Sequence, residues 1–418
     1  QSADLFTADF KTDPFWWEAS PRPDLPQTPL PQSVDVLVVG SGYTGLNAAL
    51  VTARAGRSTL VVEKERAGDG CSTRNGGQIS TSVKPSFAEL AKRHGPDTAR
   101  AILMDGREAL RWIGDFTAAE GIDCGFSVCG RFHAAHSQKS FGQMSRDAKN
   151  QTPGLEVELD IVPRAEQHRE IGSDAYHGGI VFKRHAVLDP GRYHAGLLAR
   201  VREAGATVAD RCPALAIERD GKGFVVATPR GRVSAREVII ATNGYTGGVT
   251  GWLRRRVIPI GSYVIATEPM PRETMRGVIP QDRIVSDSRK VVYYYRLSPD
   301  GTRMIFGGRV SHSETDPRVS GPRLHAEMAR LFPQLAGARI SHSWMGFVAY
   351  TFDTLAHTGS HDGMHYAMGY CGSGVSMASY LGMRTGQKVL GLAEGRTGFD
   401  RTSFQTRPFY TGNPWFLA

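Results

Sequence analysis

The fold is decided by the stretch VDVLVVGSGYTGLNAALVTARAGRSTLVVEKE, Val34–Glu65. Val34 to Val39 is a short apolar run, as expected of a buried parallel strand. An alanine-rich segment from Leu46 to Ala55, ended by Gly56, predicts a helix, and Ser58 to Val62 predicts a second buried strand. A strand, a tight turn, a helix and a strand within about 30 residues form a βαβ unit.

Three glycines, Gly40, Gly42 and Gly45, join the first strand to the helix in the pattern G-x-G-x-x-G. The first permits the tight turn, the second lets a pyrophosphate approach the backbone, and the third lets the helix pack on the strand. The free N–H groups at the helix N-terminus attract phosphate. Glu63 ends the second strand, where an acid accepts hydrogen bonds from a ribose and disfavours a 2′-phosphate. The stretch therefore predicts an ADP-bearing dinucleotide.

Two further glycine-rich segments favour a flavin over a nicotinamide. GDGCSTRNGGQIS, Gly68–Ser80, offers backbone donors to a second part of the same cofactor. GYCGSGVSMASYLG, Gly369–Gly382, predicts a turn and a helix whose N-terminus faces the edge of the isoalloxazine ring that becomes anionic on reduction. A flexible surface loop and an ordinary helix cap are the structural alternatives for these two segments.

The length of 418 residues predicts more than one hydrophobic core. Parallel βαβ pieces at the beginning, middle and end of the chain are separated by helical and antiparallel pieces. We therefore expect an α/β fold in which a Rossmann-type FAD-binding domain is interleaved with a second domain that contains a mixed or antiparallel sheet and helices. The predicted boundaries are 1–33 for an N-terminal arm, 34–95, 168–248 and 344–418 for the FAD-binding domain with the C-terminal tail, and 96–167 and 249–343 for the substrate domain.

The N-terminal arm carries six prolines between Asp13 and Pro31, which predicts no regular structure there. Its aromatic residues Phe15, Trp16 and Trp17 predict that the arm packs on the body of the protein.

The composition excludes several classes of function. The net charge is +9, but the longest basic run is Arg254–Arg256, and no nucleic-acid module is present. Five cysteines form no disulfide framework, which favours a reducing, cytoplasmic location. No apolar run approaches the ~18 residues of a membrane span. The histidines at 357, 361 and 365 are separated by turn residues, so we expect no metal site. We expect neither a nucleic-acid nor a membrane partner, and the sequence does not indicate the oligomeric state.

The ordered set of motifs resembles the D-amino-acid-oxidase-like superfamily of flavoproteins, which includes glycine and sarcosine oxidases. Besides the opening stretch, the set consists of STRNGGQ (72–78), VIIATNGYTGG (238–248), MIFGGR (304–309), WMGFVAYTFDTLAHTG (344–359) and MHYAMGYCGSGVSMASYLG (364–382). Within the superfamily, FWWEASPRPDLP, RNGGQ and ATEP look most similar to the gamma-glutamylputrescine oxidase branch.

The resemblance implies sixteen contacts with FAD. They are Glu63 and Lys64 at the adenosine ribose, Ala214 at the adenine through its backbone, Gly40, Gly42, Thr44 and Gly45 at the pyrophosphate, Thr242 near the phosphates, Ser72, Asn75, Gly76 and Gln78 between pyrophosphate and flavin, and Gly372, Ser373, Gly374 and Val375 at the pyrimidine edge of the flavin. Some sarcosine oxidases attach flavin through a cysteine close to the place where this chain has Val348 and Ala349, so we expect non-covalent FAD.

For the substrate pocket we predict Arg296, Tyr295 and Trp344. The resemblance implies that the sheet carrying Tyr295 and Arg296 covers the flavin. An arginine and a tyrosine there can hold a substrate carboxylate by paired hydrogen bonds, and Trp344 can form a wall of the pocket. An ion-paired arginine and a tryptophan in the core are the alternatives. His185 can approach the cofactor, although a single histidine is more often structural.

No nucleophile–base pair is found, and flavin N5 is expected to carry the chemistry. We expect an FAD-dependent amine or amino-acid oxidase that transfers a hydride from the substrate to N5 and forms an imine. The expected substrate is a small molecule: a gamma-glutamyl amine, a secondary amine or an N-alkyl amino acid. Reoxidation by O2 would give H2O2. The alternatives are an FAD-dependent dehydrogenase of a hydroxy acid or opine that uses a quinone or another acceptor, and a non-catalytic FAD-binding subunit.

Overall fold

The computed structural model describes residues 5–310 and 314–417. Its strands form one nine-stranded, one eight-stranded and one two-stranded sheet within this part of the chain. The strands are β1 Phe6–Lys11, β2 Ser33–Val39, β3 Thr59–Val62, β4 Gln78–Ile79, β5 Arg131–Ala134, β6 Leu159–Val162, β7 Gly179–Phe182, β8 Ala186–Val187, β9 Thr207–Ala209, β10 Ala216–Asp220, β11 Gly223–Thr228, β12 Gly231–Ile240, β13 Ile258–Thr267, β14 Ile284–Asp287, β15 Tyr294–Leu297, β16 Met304–Gly308, β17 Ile340–Tyr350, β18 His357–His361 and β19 Met364–Met368. The α-helices are α1 Trp16–Ala19, α2 Tyr43–Arg54, α3 Phe87–His94, α4 Pro96–Ala119, α5 Gln138–Lys149, α6 Pro190–Glu203, α7 Gly251–Arg254, α8 Arg272–Val278, α9 Pro317–Leu331 and α10 Gly374–Val389.

The eight-stranded sheet, here called the nucleotide sheet, contains the predicted βαβ unit. Strands β9, β3, β2, β12 and β19 lie side by side and run parallel. Strand β2 lies between β3, which follows it in the chain, and β12, which pairs with its other edge. The strand order therefore reverses direction at β2. In open sheets of this kind ligands bind beyond the carboxyl ends of the strands at such a switch point.

The nucleotide sheet is covered by helices α2, α6 and α10, which explains why its parallel strands are almost wholly apolar. Strand β12 has two roles. Its first half continues the antiparallel meander of β10 and β11, and its second half lies between β2 and β19. The last strand of the meander therefore continues without a break into the parallel part of the sheet, because no residue of β12 interrupts the ladder.

The nine-stranded sheet, here called the second sheet, has the order β1-β17-β13-β16-β15-β14-β5-β7-β6. Its middle strands are antiparallel, and it becomes parallel at the pairs β14–β5 and β1–β17. The register places one residue from each of six neighbouring strands in a single row. This cross-strand row consists of Trp344, Val264, Gly307, Tyr294, Ser286 and His133.

The predicted fold class is confirmed, and three elements can be located relative to the predicted segments. Helix α4, predicted in the substrate domain, buries its apolar stripe in the core of the nucleotide sheet with α10. Strand β7, predicted in the FAD-binding domain, pairs within the second sheet, and β17 crosses the predicted boundary at 343/344. Residues 1–4, 311–313 and 418 of the predicted segments lie outside the described residues.

The N-terminal arm differs from the expectation of no regular structure. Residues between Pro14 and Pro21 form the short helix α1, because this proline-free interval is long enough for one helical turn. Trp16 is fully buried, and its indole Nε1 donates a hydrogen bond to the Asn75 carbonyl at 2.8 Å. The arm is thus packed against the body as its aromatic residues predict.

Candidate active site

A cavity of about 1630 Å³ lies between the carboxyl ends of the nucleotide sheet and one face of the second sheet. Pockets for small ligands usually measure about 300–1,000 Å³, so this one is large enough for a dinucleotide and a second molecule. Of the sixteen residues predicted to contact FAD, fifteen line this cavity. The exception is Gly45, which lies in α2 and packs against β2 and the turn instead of facing the cavity.

The turn between β2 and α2 fits a bound pyrophosphate because side chains are excluded from it. Gly40 has φ of +106°, and a Cβ there would lie 2.7 Å from the Ala241 carbonyl oxygen. A Cβ on Gly45 would lie 1.9 Å from the Gly40 carbonyl oxygen. Gly45 therefore brings the helix against the strand, as predicted for the third glycine, and it shapes the turn from behind.

Two helix N-termini face the same cavity, those of α2 and α10. The Thr44 hydroxyl of α2 donates to the Ala378 carbonyl of α10 at 3.1 Å and accepts from the Tyr370 hydroxyl at 2.6 Å. The helices approach closely at Gly382, where a Cβ would lie 2.3 Å from the Thr44 carbonyl oxygen. The positive ends of two helix dipoles are thereby directed at one anionic ligand.

Glu63 is held at the end of β3 as an oriented hydrogen-bond acceptor. Its Oε2 accepts from the Ser41 amide at 2.9 Å and from the Ser41 hydroxyl at 2.8 Å, and Oε1 accepts from the Glu65 amide at 3.1 Å. Burial raises the pKa of Glu63, against the lowering by these hydrogen bonds. Oε2 thus accepts two hydrogen bonds already, whereas Oε1 has a further lone pair, which fits a hydroxyl donor of a ribose.

His194 is a residue of this site that the sequence did not indicate. Its Nε2–H donates to the Ser41 carbonyl at 2.8 Å, and burial lowers the pKa of His194, so the ring is neutral. This hydrogen bond from a buried histidine on α6 therefore holds the glycine turn in place. A single histidine in a helix gives no signal of such a role.

The loop at 70–78 is shaped by its own polar side chains. The Ser72 hydroxyl accepts from the Tyr43 amide at 2.9 Å, at the start of α2. Asn75 accepts from the Gly77 amide at 2.8 Å, and the Gln78 amide group donates to Tyr295 in the second sheet at 2.9 Å. The loop therefore joins the two sheets at the cavity, and its glycines leave room for a ligand.

The three predicted substrate-pocket residues do not line the cavity. Tyr295 points to the opposite face of its strand, where it stacks on Phe306 at 5.2 Å and donates to the Tyr176 hydroxyl at 2.9 Å. Tyr294, on the other face of β15, lines the cavity instead. Its hydroxyl is 2.8 Å from that of Ser262, and burial raises the pKa of Tyr294 to about 12.

Arg296 and Trp344 lie on the cavity side of the second sheet but are covered by the arm. Arg296 donates to the Leu188 carbonyl at 2.7 Å and lies 5.3 Å from the Trp16 ring. Trp344 is fully buried in a cluster with Trp16, and its indole donates to the Arg74 carbonyl at 2.9 Å. Because Trp16 occupies the space in front of them, neither contributes a surface to the pocket.

Other polar residues of the second sheet reach the cavity. Arg131 and His133 on β5, Ser286 on β14, and His185 all line it. The alternation of Arg131 and His133 with apolar Phe132 and Ala134 is a period-two signal in the sequence that is typical of a strand with one polar face.

The described residues contain no group of three or more histidine, cysteine, aspartate or glutamate side chains that could hold a metal ion. The three histidines at 357, 361 and 365 lie on β18 and β19. His357 is 3.0 Å from Asp353 and stacks on Phe404, whereas His361 stacks on Trp252. All five cysteines are free thiols. In the described part of the chain, no helix is both long and apolar enough to cross a membrane.

Comparison with known proteins agrees with this geometry. Residues 35–387 match the family described as FAD dependent oxidoreductase (DAO). The chain is 31% identical to the probable oxidoreductase OrdL of Rhizobium meliloti (strain 1021), over 90% of this chain and 88% of that protein. It is also 31% identical to the gamma-glutamylputrescine oxidoreductase of Escherichia coli (strain K12), over 91% of this chain and 89% of that protein. The solved structure of glycine oxidase from Geobacillus kaustophilus has the same fold, with a TM-score of 0.73 at 19% identity over 91% of this chain and 99% of that one.

Proposed function

Because this chain belongs to the family of FAD-dependent oxidoreductases and uses FAD, we propose that it oxidises the C–N bond of an amine or amino-acid-like substrate to an imine. The observation that carries the proposal is the cavity in which the predicted FAD contacts face the polar residues of the second sheet. The similarity to a gamma-glutamylputrescine oxidoreductase along most of both chains supports an amine as the substrate.

The residues of the chain act by binding and orientation. When bound, FAD supplies the hydride acceptor. The N-termini of α2 and α10 would hold its anionic groups, and Glu63 would accept a hydrogen bond from its ribose. Tyr294 and Ser262 form the wall that faces the substrate, and exclusion of water lowers the pKa of a bound amine, which favours its reactive neutral form. Water then hydrolyses the imine, and we propose O2 as the electron acceptor, with H2O2 as product.

We also propose that FAD is bound without a covalent link. Val348 and Ala349 line the cavity and offer no nucleophile. The Cys71 thiol lines it too, but burial raises the pKa of Cys71 to about 11, which keeps it protonated and unreactive. Denaturation of the holoenzyme should release all of the flavin into the filtrate, and flavin that stays on the chain would contradict this proposal.

The proposed reaction is tested by anaerobic reduction of the holoenzyme with a panel of amines, polyamines, N-methyl amino acids and D-amino acids. Bleaching of the visible flavin absorption, followed by peroxide release when air is admitted, supports the proposal. Bleaching without peroxide favours a dehydrogenase that passes its electrons to another acceptor. If hydroxy acids alone bleach the flavin, or nothing does, the proposal is wrong.

A further inference from the structure

A polar cluster lies on the face of β5, β14 and β7 that forms part of the cavity wall. Arg131 Nη1 donates to the Ser286 hydroxyl at 3.2 Å, and Ser286 is 2.9 Å from His133 Nδ1. Phe182 pairs with Arg131 across the strands, and the His185 ring stacks on Phe182 with centroids 5.0 Å apart. All five of these residues line the cavity.

Two polar atoms of this cluster are buried without a hydrogen-bond partner. They are Arg131 Nε and His185 Nδ1. A buried donor or acceptor without a partner costs about 1–3 kcal/mol, and such atoms are rare in folded proteins. Two of them beside one cavity indicate that the cluster is completed by a ligand.

No carboxylate compensates the charge of Arg131 among the described residues. Burial lowers the pKa of Arg131 to about 10, so it still carries its charge at neutral pH. Two nearby acids are engaged elsewhere: Asp287 pairs with Arg289 on the opposite face of β14, and Glu170 pairs with Arg283 at 2.7 Å. Burial raises the pKa of Asp282, and the charge that lowers it is that of Arg296, not Arg131. A buried cation without a partner is unfavourable, so this position favours an anion.

The two histidines of the cluster do not add positive charge at neutral pH. Burial, reinforced by the charge of Arg131, lowers the pKa of His133 to about 4 and that of His185 to about 3. The Ser286 hydroxyl accepts from Arg131 and can donate to the unprotonated His133 Nδ1. The cluster therefore presents one fixed guanidinium with neutral hydrogen-bonding groups around it, which matches a single carboxylate.

We propose that Arg131 binds a carboxylate at the end of the substrate remote from the oxidised C–N bond. The ring of Tyr294 lies beside the loop at 70–78, where the flavin is predicted to bind, since a Cβ on Gly76 would lie 3.1 Å from this ring. Strand β5 lies two strands from β15, and at about 4.8 Å per strand the carboxylate lies on the order of 10 Å away. The substrate is therefore an amine with a distal carboxylate. The assignment of the ligand as a substrate rests on the proposed function.

The binding test uses the holoenzyme, in which FAD fills the helix N-termini, and compares hexanoate with hexanamide by calorimetric titration. Wild-type protein should bind hexanoate at least about tenfold more tightly than hexanamide, as expected for a charge-assisted hydrogen-bonded pair. Arg131→Met should abolish this preference, and Arg131→Lys should retain part of it because it keeps the charge and loses the planar fork.

Arg309→Met is the matched control. Arg309 also lines the cavity, but it lies 3.5 Å from Glu314, so its replacement should leave the preference for hexanoate unchanged. Arg131→Met should keep its FAD and unfold at the same temperature as the wild type or higher, because it removes an uncompensated buried charge. A marked fall in Tm would show that Arg131 is structural and would overturn the proposal.

Failure of this inference is distinguishable from failure of the proposed function because titration needs no turnover. Equal binding of hexanoate and hexanamide, or an unchanged preference in Arg131→Met, overturns the role of Arg131 even if amines reduce the flavin. Once a substrate amine is known, its carboxylate and carboxamide forms should differ in KM in the wild type and not in Arg131→Met. A difference that persists in the variant would also overturn the assignment.

Discussion

The close approach of α2 and α10 leads to a prediction about Gly382, which lies in the interior of α10. A Cβ at this position would lie 2.3 Å from the Thr44 carbonyl oxygen and 2.8 Å from the Thr44 Cα, both backbone atoms. Gly382→Ala requires the two helices to separate by about 1 Å to reach an ordinary contact near 3.4 Å. The N-termini of both helices would then move relative to the bound FAD.

The magnitude follows from two opposing effects. Alanine gains about 1 kcal/mol over glycine in a helix interior. Overpacking costs about 1–3 kcal/mol, and the upper end applies because backbone atoms cannot rotate away. The net loss is about 2 kcal/mol, which corresponds to a fall in Tm of about 4 °C on the scale for large domains.

Gly142→Ala provides the control. Gly142 also lies inside a helix, α5, but the nearest atom to its added Cβ is the flexible end of Arg146 at 3.5 Å. Thermal unfolding should show Gly142→Ala at or above the wild-type Tm and Gly382→Ala below it. FAD titration of the apoproteins should show weaker binding for Gly382→Ala alone. Wild-type stability and FAD affinity in Gly382→Ala would refute the role of this contact.

Three further predictions concern single polar side chains. Ser72→Ala removes the acceptor of the Tyr43 amide and should cost about 1 kcal/mol and weaken FAD binding, whereas Ser86→Ala, which uncaps the remote helix α3, should lower Tm without changing FAD affinity. Burial raises the pKa of Glu63 above 4.5, so the apoprotein loses stability as the pH rises past that value and Glu63 must ionise. In a profile of Tm against pH, apoprotein Glu63→Gln should lack this loss, and a profile identical to that of the wild type would contradict the prediction. His185 has its pKa lowered to about 3 from 6.5, so stability is lost as pH falls below 6.5, and His185→Phe should keep more of its Tm than the wild type near pH ~4; equal losses would exclude His185 as the cause.

The cofactor side of the site could be predicted from sequence because its constraints are local. Gly40 needs a positive φ, Gly45 must touch the residue five places before it, and Glu63 ends the strand that pairs with β2. Each requirement involves residues close in the chain or in adjacent strands. The spacing of residue types therefore contains the geometry, and these residues come together in the structure as the pattern indicates.

The substrate side could not be predicted in the same way because it depends on which part of a sheet face is covered. Period-two alternation correctly places Tyr294 and Arg296 on one face of a strand. It does not reveal that Trp16, some 280 residues earlier in the chain, covers Arg296 and leaves Tyr294 open. Arg131 was not predicted because it stays uncovered and lacks an acidic partner. The sequence around it reveals neither property.

The cross-strand row of the second sheet shows how one face serves both the core and the site. At one end Trp344 and Val264 are buried beneath Trp16. In the middle Gly307 leaves space for the Tyr294 ring, since a Cβ there would lie 2.3 Å from it. Beyond this point the row turns polar and ends at the cluster around Arg131.

The change from apolar to polar along the row occurs where the arm stops covering the sheet. A sheet face that is covered must be apolar, and a face that lines a cavity can carry polar groups that a ligand satisfies. The arm thus sets the edge of the cavity on this side, and the residues past that edge, rather than those beneath Trp16, are the ones available to select a substrate.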